Sequence, residues 1–396
     1  MAPVVSNEPL LEQLMRSDTA AFARVLQQRS GLRVQVLYTK IDRDRNNKPR
    51  FTDYSFNLSD SLYFYPASTV KMPIAFLALD QLNRMGISRD ATMITEAAAP
   101  GQTAVYNDPS SADGRPTPAH YIKKIFLVSD NDASNRLYEF LGQERLNQQL
   151  AAKGYPQAQI LHRLGISLTE QQNRHTNPIR FLDTAGRLLF RQEAQTSNYQ
   201  YLVRKNPVGV AHMKGAERIN QPLEFGQKNR FPLRDLHQVL RSVMFPGAVP
   251  AFQRFAYSEE DYRFLYRYLS QLPRETGFPD YNQPEHYDSY VKFFMYGTRK
   301  QERIPGHIRI FNKVGWAYGF LTDVAYVVDF EKKIEFMLSA TIYCNSDGVL
   351  NDDTYDYETV GLPFLEQLGR VVYEYELGRK RKHQPDLSRF KVAYDR

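Results

Sequence analysis

The chain contains a single cysteine, Cys344, among its 396 residues. One cysteine excludes a disulfide within the chain and any zinc site built from several cysteine ligands. No apolar run approaches the roughly 20 residues that a membrane-spanning helix needs, so we expect a protein that does not span a membrane. The first residues, Met1-Ala2-Pro3, lack the basic and apolar regions of a signal peptide. We therefore expect either a cytoplasmic protein or a form from which an export signal has been removed.

The sequence also lacks the charge pattern of a nucleic-acid-binding protein. Its net charge is +7, but the charges are scattered, and no basic stripe interleaves with aromatic residues. The only basic run, Arg379-Lys380-Arg381-Lys382, follows a predicted helix, where we expect solvated cations that suit the helix dipole. The eight histidines lack H-x-x-x-H spacing, and the acidic segment 344–358 lacks the EF-hand order of ligands. We therefore expect no nucleic-acid partner, metal or other cofactor.

Strand patterns lie at both ends of the chain, and helix patterns lie mostly between them. The predicted strands cover 33–42, 50–58, 307–315, 320–330 and 334–343, with a hairpin at 178–192. The predicted helices cover 8–29, 64–86, 232–245, 258–272 and 357–380, with two more in 117–142. This order is typical of an α/β (α+β) fold in which helices flank an antiparallel sheet and a mainly helical domain is inserted.

The domain boundaries follow from the same pattern. We predict a discontinuous α/β sandwich domain formed by residues 1–64 and 303–396. Residues 65–302 would form the mainly helical domain, which carries an insertion at about 178–230. With 26 tyrosines and 24 phenylalanines, the chain has ample material for large cores or an aromatic-lined cleft.

The pattern Ser-x-x-Lys occurs three times. The pairs are Ser68 with Lys71, Ser289 with Lys292, and Ser388 with Lys391. Positions i and i+3 share a face of a helix, so each serine has a lysine within reach that would act as a base if it lost its proton. Only Ser68 begins a strongly apolar helix, which would bury Lys71. Taken alone, the pair also fits an ordinary helix N-cap followed by a first-turn lysine.

Two further short motifs accompany the pair Ser68 and Lys71. Ser129-Asp130-Asn131 lies at a predicted turn between helices, and Lys313-Val314-Gly315 ends a predicted strand. Ser-Asp-Asn and Lys-x-Gly each occur once in the chain. Ser-x-x-Lys, Ser-x-Asn and Lys-x-Gly, in this order and in these contexts, are the motif set of the serine β-lactamases and penicillin-binding proteins. The chain resembles that superfamily, and within it the class A β-lactamases most closely.

The resemblance implies a role for each motif residue. Ser68 would be the acylated nucleophile and Lys71 its base, while Ser129 would relay a proton to the leaving group. Asn131 would orient Lys71 and bind a substrate amide, and Lys313 would polarise Ser129 and attract a substrate carboxylate. The structural alternatives are a turn that caps the following helix and a surface lysine on an edge strand.

Three more residues are implied around the substrate. Gly315 would let the strand edge approach the substrate closely. The backbone N–H groups of Ser68 and Trp316 would form the oxyanion hole. Tyr106 lies about where class A enzymes have an aromatic pocket wall, although packing in a core is an equally good explanation for it.

The sequence departs from the family pattern at two points. Val314 stands where the family has a hydroxyl residue, which removes one donor to a substrate carboxylate. The deacylating glutamate of class A enzymes, with its asparagine four residues later, has no counterpart at that spacing. Glu170, followed by Asn173, and Glu224, followed by Asn229, are the candidates in an enlarged Ω-loop region that begins near His162-Arg163-Leu164.

The resemblance therefore implies a serine hydrolase in which a β-lactam or a peptidoglycan-type amide or ester acylates Ser68 and water then hydrolyses the acyl-enzyme. The alternatives are a penicillin-binding or DD-peptidase-like protein with slow deacylation, and a non-catalytic protein that binds muropeptides or β-lactams. Family biology implies a periplasmic or otherwise extracytoplasmic location.

Overall fold

The computed structural model describes residues 8–396, so Met1-Ala2-Pro3 lies outside the described residues. The helices are α1 Glu8–Arg16, α2 Thr19–Gln27, α3 Lys71–Met85, α4 Pro118–Val128, α5 Asn131–Leu141, α6 Gln143–Ala152, α7 Glu170–Arg174, α8 Leu233–Met244, α9 Glu259–Ser270 and α10 Leu362–Gly378. The longer strands are β1 Gln35–Arg43, β2 Pro49–Phe56, β3 Thr92–Thr95, β5 Ile179–Leu182, β6 Leu188–Gln192, β9 Ala211–Lys214, β10 Glu217–Ile219, β12 Ile308–Ala317, β13 Phe320–Asp329 and β14 Ile334–Tyr343. The two-residue strands are β4 His175–Thr176, β7 Gln195–Thr196, β8 Pro207–Val208, β11 Leu223–Glu224 and β15 Val349–Leu350.

A five-stranded antiparallel sheet forms the centre of the α/β part, in the order β12-β13-β14-β1-β2. Every residue of β13 and β14 is buried, because helices cover both faces. The terminal helices α1, α2 and α10 pack on one face, and α8 packs on the other. The predicted antiparallel sheet flanked by helices is thus confirmed, and β12 lies at one of its edges.

The helices between the two halves of the sheet pack around α3. This helix contacts α4, α5, α6 and α8, and it is buried along most of its length, as its apolar sequence predicts. Gly86 ends it in the left-handed conformation, with φ of 67°. The predicted helices at 117–142, 232–245 and 258–272 are confirmed as α4 and α5, α8, and α9. Ser258 caps α9 by accepting a hydrogen bond from the N–H of Asp261 at 3.1 Å.

Three sequence predictions need correction. The single helix predicted at 8–29 is two helices, because the Asp18 side chain caps α2 by accepting a hydrogen bond from the N–H of Ala21. The last helix begins with a π-helical turn, Tyr357–Gly361. The basic run is not all solvated, since Arg379 and Arg381 both pair with the buried carboxylate of Glu376.

The predicted insertion at 178–230 is built from short strands. The expected hairpin is β5 with β6, and β3 joins it to make a three-stranded sheet. Further along, β9 pairs with β10 and, in parallel, with β15, which belongs to the acidic segment after β14. The insertion is therefore attached to the α/β part as well as to the helical part.

Candidate active site

Ser68 lies in a tight 3₁₀ turn, Ala67–Val70, that leads directly into α3. Ala67 holds a positive φ of 45°, a strained conformation for a residue with a Cβ. The turn is fixed by two hydrogen bonds to the carbonyl of Pro66, one from the N–H of Thr69 at 3.0 Å and one from its Oγ1 at 2.6 Å. Ser68 itself is partly exposed. The turn thus presents one hydroxyl at the start of a buried helix.

The edge strand β12 runs against this turn, and Gly315 is the point of contact. A Cβ built on Gly315 would meet Pro66 O at 2.7 Å and the backbone nitrogens of Ser68 and Thr69 at 2.8 Å. All three are backbone atoms, which cannot move away as the end of a flexible side chain does. Glycine is therefore required here by the close approach of two backbones.

Ser129 ends α4 in the left-handed conformation, with φ of 58° and ψ of 39°. Asp130 then caps α5 by accepting a hydrogen bond from the N–H of Ala133 at 2.8 Å. This sharp change of direction places the Ser129 carbonyl, the Ser129 hydroxyl and the Asn131 amide next to Lys71. The turn that the Ser-x-Asn motif predicted between two helices is thus one wall of the site.

Lys71 is fully buried and is held by Ser129 and Asn131. Its Nζ donates to the Ser129 carbonyl, to Ser129 Oγ at 3.3 Å and to Asn131 Oδ1 at 2.6 Å. Burial lowers the pKa of Lys71 from 10.5 to about 7, against the opposing charge of Asp130. Within residues 8–396, no hydrogen bond joins Lys71 Nζ to Ser68 Oγ. Lys71 thus has the burial and the pKa that proton transfer near pH 7 requires.

Lys313 reaches the same hydroxyl from the opposite side. Its Nζ donates to Ser129 Oγ at 2.8 Å and to the carbonyl of Val314 at 2.7 Å, and the residue is buried. Burial and the positive charge of Lys71 hold the pKa of Lys313 well below its ordinary value, while Asp323 acts in the other direction. Two lysines on one serine hydroxyl repel each other's protons, and this favours a neutral form of at least one of them.

The two aromatic candidates differ in their surroundings. Trp316, which follows Gly315, is 37% exposed and packs on Phe293, with ring centroids 5.7 Å apart. Tyr106 is 62% exposed, in the segment between β3 and α4. The alternative that Tyr106 packs in a core is therefore wrong.

Gly165 lies directly beside the Asn131 side chain. A Cβ on Gly165 would lie 2.6 Å from Asn131 Nδ2, and the residue has a positive φ of 72°. The neighbouring Arg163 is buried and paired with Glu139, Nε to Oε1 at 2.9 Å, which anchors the segment. No side chain, and hence no carboxylate, extends from position 165 toward Asn131.

Glu170 and Glu224 both border a pocket of about 460 Å³ beside this segment. Glu170 Oε1 pairs with Arg174 at 2.9 Å. Glu224 Oε1 accepts the N–H groups of Asn206 at 2.6 Å and Gly226 at 2.7 Å. Among residues 8–396, neither carboxylate is hydrogen-bonded to Ser68, Lys71, Ser129 or Asn131. Arg174 lies four residues after Glu170 on α7, a spacing at which side chains pair, whereas the partners of Glu224 are backbone groups that no sequence pattern identifies.

Aromatic side chains form one wall of this pocket. Tyr65, three residues before Ser68, stacks on His162 at 6.0 Å and meets Tyr318 edge-on at 5.1 Å. Burial lowers the pKa of His162 to about 4, so the imidazole is neutral at physiological pH. The abundance of tyrosine and phenylalanine allowed for an aromatic-lined cleft, but no sequence pattern identified Tyr65, His162 and Tyr318 as the residues that line it.

One family of known proteins and several solved structures are similar to this chain. The model of a β-lactamase enzyme family matches residues 19–375. The solved structure of PBP-A is 14% identical, with 95% of this chain and 98% of that chain covered and a TM-score of 0.50. A β-lactamase from Sphaerobacter thermophilus DSM 20745 is 14% identical, with 93% and 97% covered and a TM-score of 0.48. The β-lactamase from Streptomyces albus G is 15% identical, with 93% and 98% covered and a TM-score of 0.46. No curated protein matches.

Two further findings concern metal sites and membrane-spanning helices. In the described part of the chain, no three His, Cys, Asp or Glu side chains are grouped so that they would hold a metal ion. None of the helices within residues 8–396 has the length and apolar character needed to cross a membrane. The family match spans most of the sequence, and the solved structure of PBP-A shares the fold over 95% of this chain. The chain belongs to the β-lactamase enzyme family.

Proposed function

We propose that this chain is a serine hydrolase that forms an acyl-enzyme at Ser68 with a β-lactam or a peptidoglycan-type amide or ester. The observation that supports this most is the environment of Lys71, which is buried between Ser129 and Asn131 and has a pKa of about 7. A lysine with this pKa is partly neutral at physiological pH and accepts a proton, which an exposed lysine does not do.

The proposed chemical steps combine these contacts with the roles that the family motifs imply for the same residues. Ser68 Oγ attacks the substrate carbonyl carbon while its proton passes to neutral Lys71. The N–H groups of Ser68 and Trp316 hold the resulting oxyanion. Ser129, hydrogen-bonded to Lys71, then gives its own proton to the leaving nitrogen or oxygen and takes one from Lys71. The net change is one proton lost by Ser68 and one gained by the leaving group, and Lys71 is neutral again.

Lys313 and Asn131 serve the substrate in this proposal. Lys313 stabilises negative charge on Ser129 during the relay and attracts a substrate carboxylate. Because Val314 has no hydroxyl, that carboxylate loses one donor, and we expect weaker binding of substrates that depend on it. Asn131 orients Lys71 and binds a substrate amide, as in class A enzymes. Such a substrate implies action where peptidoglycan lies, outside the cytoplasm.

Slow deacylation is a second candidate, and the surroundings of the two glutamates favour it. Glu170 is engaged by Arg174, and Glu224 by backbone N–H groups. Hydrolysis of the ester at Ser68 needs a base that activates water beside it. Without such a base the acyl-enzyme persists, as in a penicillin-binding protein.

Intact mass spectrometry separates these possibilities. The protein is exposed to a panel of penicillins and reactive esters, with Ser68→Ala as the control, and the adduct is followed over time. A transient adduct with released product supports the hydrolase, and a lasting adduct supports the penicillin-binding type. If neither form of the protein gains mass with any probe, acyl transfer at Ser68 is refuted, and a binding role is left.

The same assay tests the two glutamates. If Glu170 or Glu224 is the deacylating base, Glu170→Gln or Glu224→Gln will lengthen the life of the adduct by orders of magnitude. An unchanged adduct lifetime in both variants assigns deacylation to neither residue.

A further inference from the structure

Three polar side chains, Lys292, Asn312 and Asp323, form a buried chain of hydrogen bonds beneath β12, here called the Lys292 network. Lys292 Nζ donates to Asn312 Oδ1 at 2.6 Å and to the carbonyl of Leu269 at 2.8 Å. Asn312 Nδ2 donates to Asp323 Oδ1 at 2.8 Å. No more than 1% of any of the three residues is exposed. The three side chains are therefore shielded from bulk solvent.

The network links three segments that border the candidate active site. Asp323 Oδ2 accepts the N–H groups of Phe293 at 3.1 Å and Phe294 at 3.3 Å, so it holds the segment that follows Lys292. Phe293 in turn packs on Trp316, beside the substrate cleft. Since Asn312 is in β12 and Asp323 in β13, the network joins the edge strand to its neighbour and to the segment beneath.

Lys313 is the next residue after Asn312, but it points to the other face of the sheet. Side chains alternate along a strand, so Asn312 and Val314 share the face on which Asp323 lies, opposite Val314 in the register. Lys313 then points to Ser129. Any shift of Asn312 along or across the sheet therefore moves Lys313 relative to its target hydroxyl.

The charges that reach Lys313 come from few groups. Lys71 on α3 and Lys292 favour its neutral form, and Asp323 on β13 favours its protonated form. Lys292 also faces Arg309 and Glu275, which pair with each other at 2.9 Å and largely cancel. Burial raises the pKa of Asp323 to about 6 and lowers that of Lys292 to about 7, so both groups are partly charged near neutral pH.

Buried charged groups such as Lys292 and Asp323 are a poor source of stability, because desolvation offsets most of their attraction and apolar residues of similar size often stabilise as well. We propose that the Lys292 network positions Lys313. The network holds β12 where Lys313 Nζ reaches Ser129 Oγ. The negative charge of Asp323 offsets the positive charges of Lys71 and Lys292. The effect on acylation rests on the proposed function, whereas the effect on Lys313 itself does not.

In the second Ser-x-x-Lys pair, Lys292 therefore has a role in this network, whereas Ser289 has none. Ser289 Oγ donates to the carbonyl of Arg299 at 3.5 Å, and the residue is buried. A Ser-x-x-Lys pattern supplied no reason to connect Lys292 with a strand that begins 16 residues later.

The test is the titration of Lys313 in Asp323→Asn. The Cε signals of carbon-13-labelled lysine are followed by NMR from pH 5 to pH 11 and assigned with Lys313→Arg. Removal of the carboxylate is expected to lower the Lys313 midpoint by about one pH unit, the size of effect that a nearby opposite charge has. The pH profile of acylation by a fluorescent penicillin should move in the same direction.

The matched control is Ser339→Ala, which removes a buried hydrogen bond on β14 of the same sheet, from the Ser339 hydroxyl that contacts His237 at 2.8 Å. It should lower the melting temperature but leave the Lys313 midpoint in place. If Asp323→Asn likewise lowers the melting temperature and leaves the Lys313 midpoint unchanged, the network is structural and the proposal is overturned. A shifted midpoint in a protein that no probe acylates refutes the proposed function alone, because the midpoint is read without substrate.

Discussion

Replacement of Gly315 by alanine is the sharpest test of how β12 and the nucleophile turn depend on each other. The new methyl group would come within 2.7 Å of Pro66 O and 2.8 Å of the nitrogens of Ser68 and Thr69. Ordinary van der Waals contact needs several tenths of an ångström more at each of the three atoms. Because all three belong to the backbone of one short turn, the strand and the turn must separate.

The separation has two consequences of different size. Overpacking of this kind typically costs about 1–3 kcal/mol of unfolding free energy. The chemistry should suffer more, since a displacement approaching 1 Å between reacting groups lowers rates by up to about 100-fold. We therefore expect Gly315→Ala to fold, to melt a few degrees lower, and to acylate Ser68 about 10- to 100-fold more slowly.

The assay is the second-order rate of adduct formation with a reactive penicillin, with melting followed by circular dichroism. Gly306→Ala is the matched control, because a Cβ at Gly306 meets no atom within 4 Å and the residue has no positive φ. A Gly315→Ala protein that acylates at the wild-type rate would refute the requirement for close approach.

Three further predictions concern protons and hydrogen bonds. The acylation rate should rise with pH around a midpoint near 7 and fall about tenfold per unit below it, because only neutral Lys71 accepts the proton; a pH-rate profile checks this. Asn131→Ala removes an acceptor held at 2.6 Å by Lys71, so we expect acylation about 10- to 100-fold slower with little change in melting temperature. Burial lowers the pKa of His237 to about 3, below its value of 6.5 in the unfolded chain. The unfolded state therefore binds the extra proton between pH 6.5 and 3, and stability from this group is present above pH 6.5 and lost as the pH falls. Urea titrations at pH 7 and pH 5 should show a smaller loss of unfolding free energy in His237→Gln than in the wild type.

Sequence patterns were sufficient for the parts of the fold that depend on local periodicity. The three C-terminal strands, for example, were bounded to within a few residues, because each is rich in β-branched and aromatic residues and lies between turn residues. The break between α1 and α2 was missed, since Asp18 is one polar residue on a helical pattern and its capping bond is visible only in three dimensions. The pairing of β9 with β15, about 140 residues apart, has no local signal at all.

The candidate site divides in the same way. Short motifs with fixed spacing pointed to Ser68, Lys71, Ser129 and Lys313, and the structure brings the last three together through hydrogen bonds. These motifs carry no information about contacts that form only through tertiary packing. The contact of Gly165 with Asn131 is of that kind, because a glycine in a polar loop is usually explained by a turn.

Position 165 leads to the last prediction, which concerns the release of the acyl group. Gly165→Glu would place a carboxylate at the point that faces Asn131, but its Cβ would lie 2.6 Å from Asn131 Nδ2. The positive φ of 72° adds about 1–2 kcal/mol of strain for any residue with a Cβ. Asn131 must then move, and Lys71 loses its 2.6 Å partner. We therefore expect the variant to acylate more slowly without gaining rapid turnover, measured as adduct formation and decay by intact mass. Fast hydrolysis with undiminished acylation would show that the loop can retreat and that a missing carboxylate alone limits deacylation.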